Sequence, residues 1–374
     1  MKIYVKKRNF LKFLDNNFRI VDHGNTNMSM RAIYFDVLSD KIIATTTNNE
    51  MSIQNIMDLD NIKNRSEGTG SFLVLAKNLK AILNYCDEDI ALTIKNNSLN
   101  ITSGSYVTDI SLLETESFQE INFVLQSNKF DFESELLINA IKKVGYIAMN
   151  HPAKEDLILS SLNLNYANGK LEIISTDKKR IAMETRSINY IEEFNISLHS
   201  KTIRYLQSLS FEKTIEIYPG SYELKIKNGR EIIKTKIVNL PYQDLSTNNP
   251  FKWEMDIRIE IEKQHLINLI DKVTVLNDSK NNIVKFKIEN RENQQSLGLS
   301  SYISEGGKFE VKTESVKIHG ESFTVNYNAQ FLKEALNVFN GDIDLFINKA
   351  RGALLIVSAE YQENRQLIAS VKGY

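Results

Sequence analysis

One order of segments occurs three times along this chain, at a spacing close to a third of its 374 residues. Phe10, Leu11, Phe13, Leu14 and Phe18 fall at helical spacing. A polar stretch then gives way to the β-branched and aromatic run 32–37, a Ser39-Asp40-Lys41 turn and a second run, 42–47. The same order starts again at Leu136, where a helix over 136–144 precedes strands 157–166 and 171–176 joined at Ala167-Asn168-Gly169-Lys170, a favourable hairpin turn. It starts a third time at Leu266, with a helix over 266–273 and strands from Ile283 and Ser296. A second pattern follows each of these, a short strand leading into a helix that opens at Ala76, Ser200 and Ala329. Those openings lie 124 and 129 residues apart, and the strand ends Thr47, Thr176 and Ser300 lie 129 and 124 apart.

The spacing predicts three α+β domains, 1–126, 127–250 and 251–374, each made of two strand-helix-strand-strand-strand modules with the helices on one face. A single module cannot bury its own sheet face, so the modules must pack in pairs. Three unrelated α+β domains of similar size are the alternative, which the matching order and spacing disfavour.

Charge sorts by element. The predicted helices hold eleven basic side chains: Arg8, Lys12, Lys77, Lys80, Lys142, Lys143, Lys201, Arg204, Lys263, Lys272 and Lys333. They hold five acidic ones, Asp15, Glu135, Glu262, Asp271 and Glu334, a surplus of six. The whole chain is -1, so the remainder carries −7. Helices sharing one surface would make that surface basic and attract phosphate without reading bases. Ordinary solvated helix faces are the alternative for any one helix taken singly.

The rest of the sequence mainly excludes. A single cysteine, Cys86, rules out an internal disulfide and reads as a small buried hydrophobe. The five histidines lie far apart, with no pair at metal-ligand spacing on one helix. No nucleophile elbow, phosphate loop, zincin or dinucleotide motif is present, so no catalytic role and no cofactor is assigned. No apolar run is long enough to span a membrane and no secretory leader opens the chain, which places it in the cytoplasm. Trp253 reads as a packed anchor near a domain junction.

Several stretches resemble the bacterial sliding clamp family, the β subunit of the replicative DNA polymerase III. Residues 157–162 and 168–182 are similar to the family's hairpin running into Ala-Thr-Asp-Gly-His-Arg-Leu-Ala. Thr47-Asn48-Asn49-Glu50 stands where the family has Thr-Asp-x-Glu, and Leu240-Pro241-Tyr242 where it has Phe-Pro-x-Tyr. Ser103-Gly104 with the strand at Ile110-Ser111-Leu112, and Asn328-Ala329-Gln330-Phe331-Leu332, match two further motifs. The resemblance covers the chain end to end.

It implies a head-to-tail homodimer closing as a ring around double-stranded DNA, with helices lining the hole, and a non-catalytic role in processivity. A clamp serving a repair polymerase or mobile element, or an unrecognised α+β enzyme, are the alternatives. Expected DNA-facing residues are Lys12, Lys77, Lys80, Lys142, Lys143, Lys201, Arg204, Lys272 and Lys333. Ile110 and Leu112 are expected to meet Val275 and Leu276 of a second copy. Polymerase and clamp-loader subunits are expected to insert short peptides into a cleft of Leu159, Thr176, Lys178, Lys179, Arg180, Ile181, Leu240 and Pro241, with Ile368, Val371 and Lys372. This chain departs from the family pattern around that cleft. Lys178 and Lys179 replace its Gly and His, Asp156-Leu157 replaces an Arg-Pro pair, and the Met-Pro-x-Arg ending is missing.

Overall fold

The computed structural model describes residues 1–59, 64–126, 128–151, 156–242, 249–276, 282–292, 294–303 and 307–372. Among them are six α-helices: α1 (Lys7–Ile20), α2 (Ala76–Tyr85), α3 (Ser134–Asn150), α4 (Ser200–Ser208), α5 (Lys263–Val273) and α6 (Ala329–Leu336). Each follows a strand and precedes three more, so the expected sixfold module recurs throughout. The first module is strand Lys2–Lys6, α1, and strands Ala32–Val37, Lys41–Thr47 and Met51–Asp58. The second to sixth open at strands Gly70–Leu75, Phe130–Glu133, Phe194–His199, Ile257–Glu262 and Phe323–Asn328, and close at Tyr106–Ser111, Arg180–Ser187, Glu231–Lys236, Gly307–Thr313 and Asn364–Ile368. Short strands Arg65–Glu67 and Lys317–His319 lie outside this plan.

The strand expected over 157–166 begins later, at Ser161. Asp156 Oδ1 accepts the backbone N–H groups of Ile158 and Leu159, which curls 156–160 into a turn before the ladder starts. The Asn168-Gly169 hairpin forms as expected, with φ 52 and 79.

The chain forms two compact units: Met1–Asn139 with Asn189–Glu192 and Lys201–Asn239, and Ala140–Ile188 with Glu193–Ser200 and Leu240–Tyr374. These do not follow the repeat boundaries, because sheets run through them. In the first unit, an eight-stranded sheet continues from the fourth module into the first, where strand 231–236 pairs antiparallel with strand 51–58. In the second, a nine-stranded sheet continues from the third module into the sixth, where strand 180–187 pairs with strand 364–368. A five-stranded sheet in the first unit ends at strand 106–111, and a four-stranded sheet in the second ends at strand 307–313.

Helices cover one face of these sheets because their apolar residues recur every three or four positions. In the first unit Phe10, Phe13 and Leu14 of α1 and Leu79 and Leu83 of α2 pack with Ile3, Phe35, Phe72 and Leu99 of the strands. Cys86 joins that core at 4% exposure, and burial raises its thiol pKa, which keeps it protonated. In the second unit Leu266 and Ile270 of α5 and Leu332 and Leu336 of α6 pack with Ile259, Phe286, Tyr327 and Leu345. A smaller cluster of Ile174, Ile181, Met183, Phe251, Leu355 and Leu367, flanked by Tyr242 and Met255, also lies in this unit. Arg351 stands 4.3 Å over the ring of Trp253.

Candidate nucleic-acid and partner interface

The helices start directly from strands, and α1 and α2 have no acidic residue in the first turn and no side-chain cap. Their apolar stripes point to the core, so the basic residues between the stripes face outward. In the first unit Lys12 of α1, Lys77 and Lys80 of α2, and Lys201 and Arg204 of α4 are exposed. Lys80 reaches over the ring of Phe18 at 5.3 Å. In the second unit Lys142 of α3 and Lys272 of α5 are exposed. Lys12, Lys77, Lys142 and Lys272 make no salt bridge among the described residues, which leaves their charge available to a phosphate.

Two expected DNA-facing residues are corrected. The Lys143 ammonium sits 3.4 Å from the centre of the Tyr361 ring, half-buried, and burial lowers its pKa. Lys333 Nζ pairs with Asp271 at 2.6 Å and lies 3.3 Å from Thr274 Oγ1. The first is turned onto a ring of the fold, and the second is held in a surface ion pair whose side chains are 34% and 55% exposed.

The proposed cleft residues all belong to the second unit and separate into two groups. Lys178, Lys179, Leu240, Pro241 and Lys372 are exposed and Val371 is half-exposed. Leu159 and Ile181 are buried but border them. A backbone hydrogen bond of 2.8 Å from Ala369 N–H to Lys179 C=O lays the C-terminal stretch beside the 177–180 turn. That turn is fixed by Asp177 Oδ1, which accepts the N–H groups of Lys179 and Arg180, each at 3.0 Å. Lys178 takes the left-handed conformation, φ 70, at the place where the family pattern has glycine.

Thr176, Arg180 and Ile368 are turned inward, contrary to expectation. Thr176 donates to the Arg180 carbonyl at 2.8 Å, and Ile368 is packed in the main core. Arg180 is 4% exposed. Its guanidinium bonds Asp177 at 2.9 Å and Glu334 of α6, and stacks 4.0 Å from Phe331 and 5.3 Å from Tyr146. It braces the turn from beneath and does not line a surface. Sequence reasoning missed this because the carboxylate and both rings come from helices far away along the chain.

Of the expected dimer residues, Val275 and Leu276 are 66% and 57% exposed just past α5, and Ile110 is half-exposed on an edge strand. Leu112 is corrected. At 8% exposure it belongs to the first unit's core, on the same face of the strand as Ile110, and its N–H donates to the Asn97 carbonyl at 3.0 Å. The edge strand 307–313 is not among the strands read from the sequence, where its hairpin, 294–313, spans more residues than the corresponding 41–58 and 170–187. No group of three metal-ligating side chains occurs among the described residues, and no helix is long and apolar enough to cross a membrane.

The family model for the DNA polymerase III β subunit N-terminal domain matches residues 1–122, and that for its C-terminal domain matches 252–372. A β sliding clamp from Mycoplasmopsis pulmonis is 37% identical over 376 residues, covering all of both chains. The chain belongs to the β sliding clamp family. A second sliding clamp, from Mycoplasma capricolum, is 24% identical over 98% of each chain. The DNA polymerase sliding clamp structure from Bacillus subtilis superposes with a TM-score of 0.90 at 19% identity over the full length of both chains, and the β subunit of Pseudomonas aeruginosa does so at 0.90 and 17%. This is the sliding clamp fold, and the family is a non-catalytic processivity factor of DNA replication.

Proposed function

We propose that this sliding clamp works as a head-to-tail homodimer of three-domain chains (1–126, 127–250, 251–374) that closes into a ring around duplex DNA. The observation that carries the reading is a pairing rule. Within each compact unit, the last strand of one module pairs with the last strand of the module three places away: 51–58 with 231–236, and 180–187 with 364–368. Continuing the rule, the last strand of the fifth module, 307–313, requires the last strand of the second, 106–111. Both are sheet edges. Edges of this kind are natural sites for joining a second chain. Ile110 on one edge, and Val275 and Leu276 close to the other, supply apolar surface for the joint.

Exposed Lys12, Lys77, Lys80, Lys142, Lys201, Arg204 and Lys272 would face the DNA. Attraction through few, screened charges holds a duplex without fixing its register, which permits sliding. Polymerase and clamp-loader subunits would dock short peptides against Leu159, Lys178, Lys179, Ile181, Leu240, Pro241, Val371 and Lys372, in the cytoplasm. The test is retention of the loaded protein on nicked circular plasmid before and after linearisation. A ring stays on the circle and is lost through the ends. Equal retention on both forms would refute the reading.

A further inference from the structure

Each of the two last-strand pairs, 51–58 with 231–236 and 180–187 with 364–368, carries a buried carboxyl group facing an amide. In the first unit Glu231 lies opposite Asn55, whose Nδ2 donates to Glu231 Oε2 at 3.2 Å. Asn16 and Asn228 donate to Oε1 at 2.8 and 3.2 Å, and Glu231 is 3% exposed. In the second unit Glu184 lies opposite Asn364, whose Nδ2 donates to Glu184 Oε2 at 3.1 Å. Both are fully buried, and Arg186 Nε and the Tyr361 hydroxyl complete the carboxyl group's partners.

The two pairs occupy one rung of the repeat. Asn55 follows Thr47 by eight residues and Glu184 follows Thr176 by eight, and the hairpins between them match in ladder register and in their single left-handed residue, Asn49 or Lys178. Their polarity is crossed. The carboxyl group stands on the fourth module's strand at the first seam, but on the third module's strand at the second. Exchange of partners would therefore set Glu231 against Glu184 and Asn55 against Asn364. Two carboxyl groups facing each other without water are strongly disfavoured, and among the described residues only Glu184 of the two has a cation, Arg186.

We propose that these two Glu–Asn pairs are assembly keys: they decide which edge each module accepts, within a chain and between copies, and exclude rings of the wrong domain order. The free edges lack the key. Tyr106 holds the rung of Glu231, since Gly104 and Gly229 form the same hairpin turn at φ 58 and 60. Thr313 holds the rung of Asn55 and is bonded to His265 Nε2 at 2.9 Å. That last step rests on the ring reading, whereas the two keys do not. A joint without a buried carboxyl group can part and re-form while the keyed seams stay shut.

The experiment is refolding from urea at pH 8, read by size-exclusion chromatography with light scattering. The variant E231Q/E184Q keeps the shape of both side chains and removes the mutual repulsion, at the cost of turning one amide N–H toward the Asn donors and of unpairing Arg186. Purified without unfolding, it should match the wild type in mass. After refolding it should give on the order of tenfold more material larger than the native species. A refolded profile identical to the wild type's overturns the proposal. A second comparison guards against loss of packing. N55E/E231N reverses one key and makes wrong partners complementary, so it should misassemble. Adding E184N/N364E reverses both and should restore clean refolding. Misassembly of the fourfold variant equal to that of N55E/E231N also overturns it. A monomeric wild type before unfolding would count against the ring alone, because the comparison is made with whatever native mass is measured.

Discussion

Replacing Glu231 with Gln sets burial against hydrogen bonding at one carboxyl group. Burial disfavours the charged form, and three amide donors favour it. Burial prevails, helped by the charges of Asp15 and Glu212, and pushes the pKa from 4.5 up to about 7. Between those values the folded chain keeps a proton that the unfolded chain has released. The stabilisation is thus complete below pH 4.5 and is lost as pH rises through about 7. At about 1.4 kcal/mol per pH unit over about 2.5 pH units, the loss is roughly 3 kcal/mol. Gln has the same shape and does not titrate. The unfolding free energy of E231Q minus that of the wild type should therefore rise by about 3 kcal/mol between pH 4.5 and pH 8. Parallel urea titrations at half-unit pH steps measure this difference, and effects of other carboxylates cancel in it. A flat difference, or one that falls with pH, would refute the reasoning by showing that the amides outweigh burial.

Three further outcomes are expected of named side chains. Lys178→Gly removes a side chain from a left-handed position and should stabilise the chain by about 1 kcal/mol in chemical denaturation. Arg180→Met leaves Glu334 and Asp177 without their shared cation and should cost about 3 kcal/mol, read as a lower urea midpoint. Lys12→Glu with Lys77→Glu should shorten retention on circular DNA several-fold at low salt, whereas Lys143→Gln should leave it nearly unchanged because that charge already sits on Tyr361.

Much of this molecule is legible in its sequence because the repeat supplies three readings of each element. The helix starts at Ala76, Ser200 and Ala329 fall where the matching offsets place them. The basic character of the helices also appears in the fold, since apolar stripes force the intervening lysines outward. Non-local pairing is harder to read. Nothing near Glu231 announces that Asn55 will lie opposite, and nothing near Arg180 announces Tyr146, Phe331 and Glu334. Leu112 is a different case: alternation from Ile110 puts it on the core-facing side of its strand, whereas the family resemblance points it to an interface.

The order of the edges along the chain has a consequence for synthesis. Strand 106–111 is complete roughly 200 residues before strand 307–313 leaves the ribosome. For that interval a nascent chain presents an open ladder edge to its neighbours on the same message. The exposed Asp109 at its middle puts a carboxylate on that edge, while the later strand carries Lys308 and Lys312 with Glu310 between them. The earlier strand carries one negative charge and the later strand a surplus of one positive charge, so each edge matches the other better in charge than it matches its own copy.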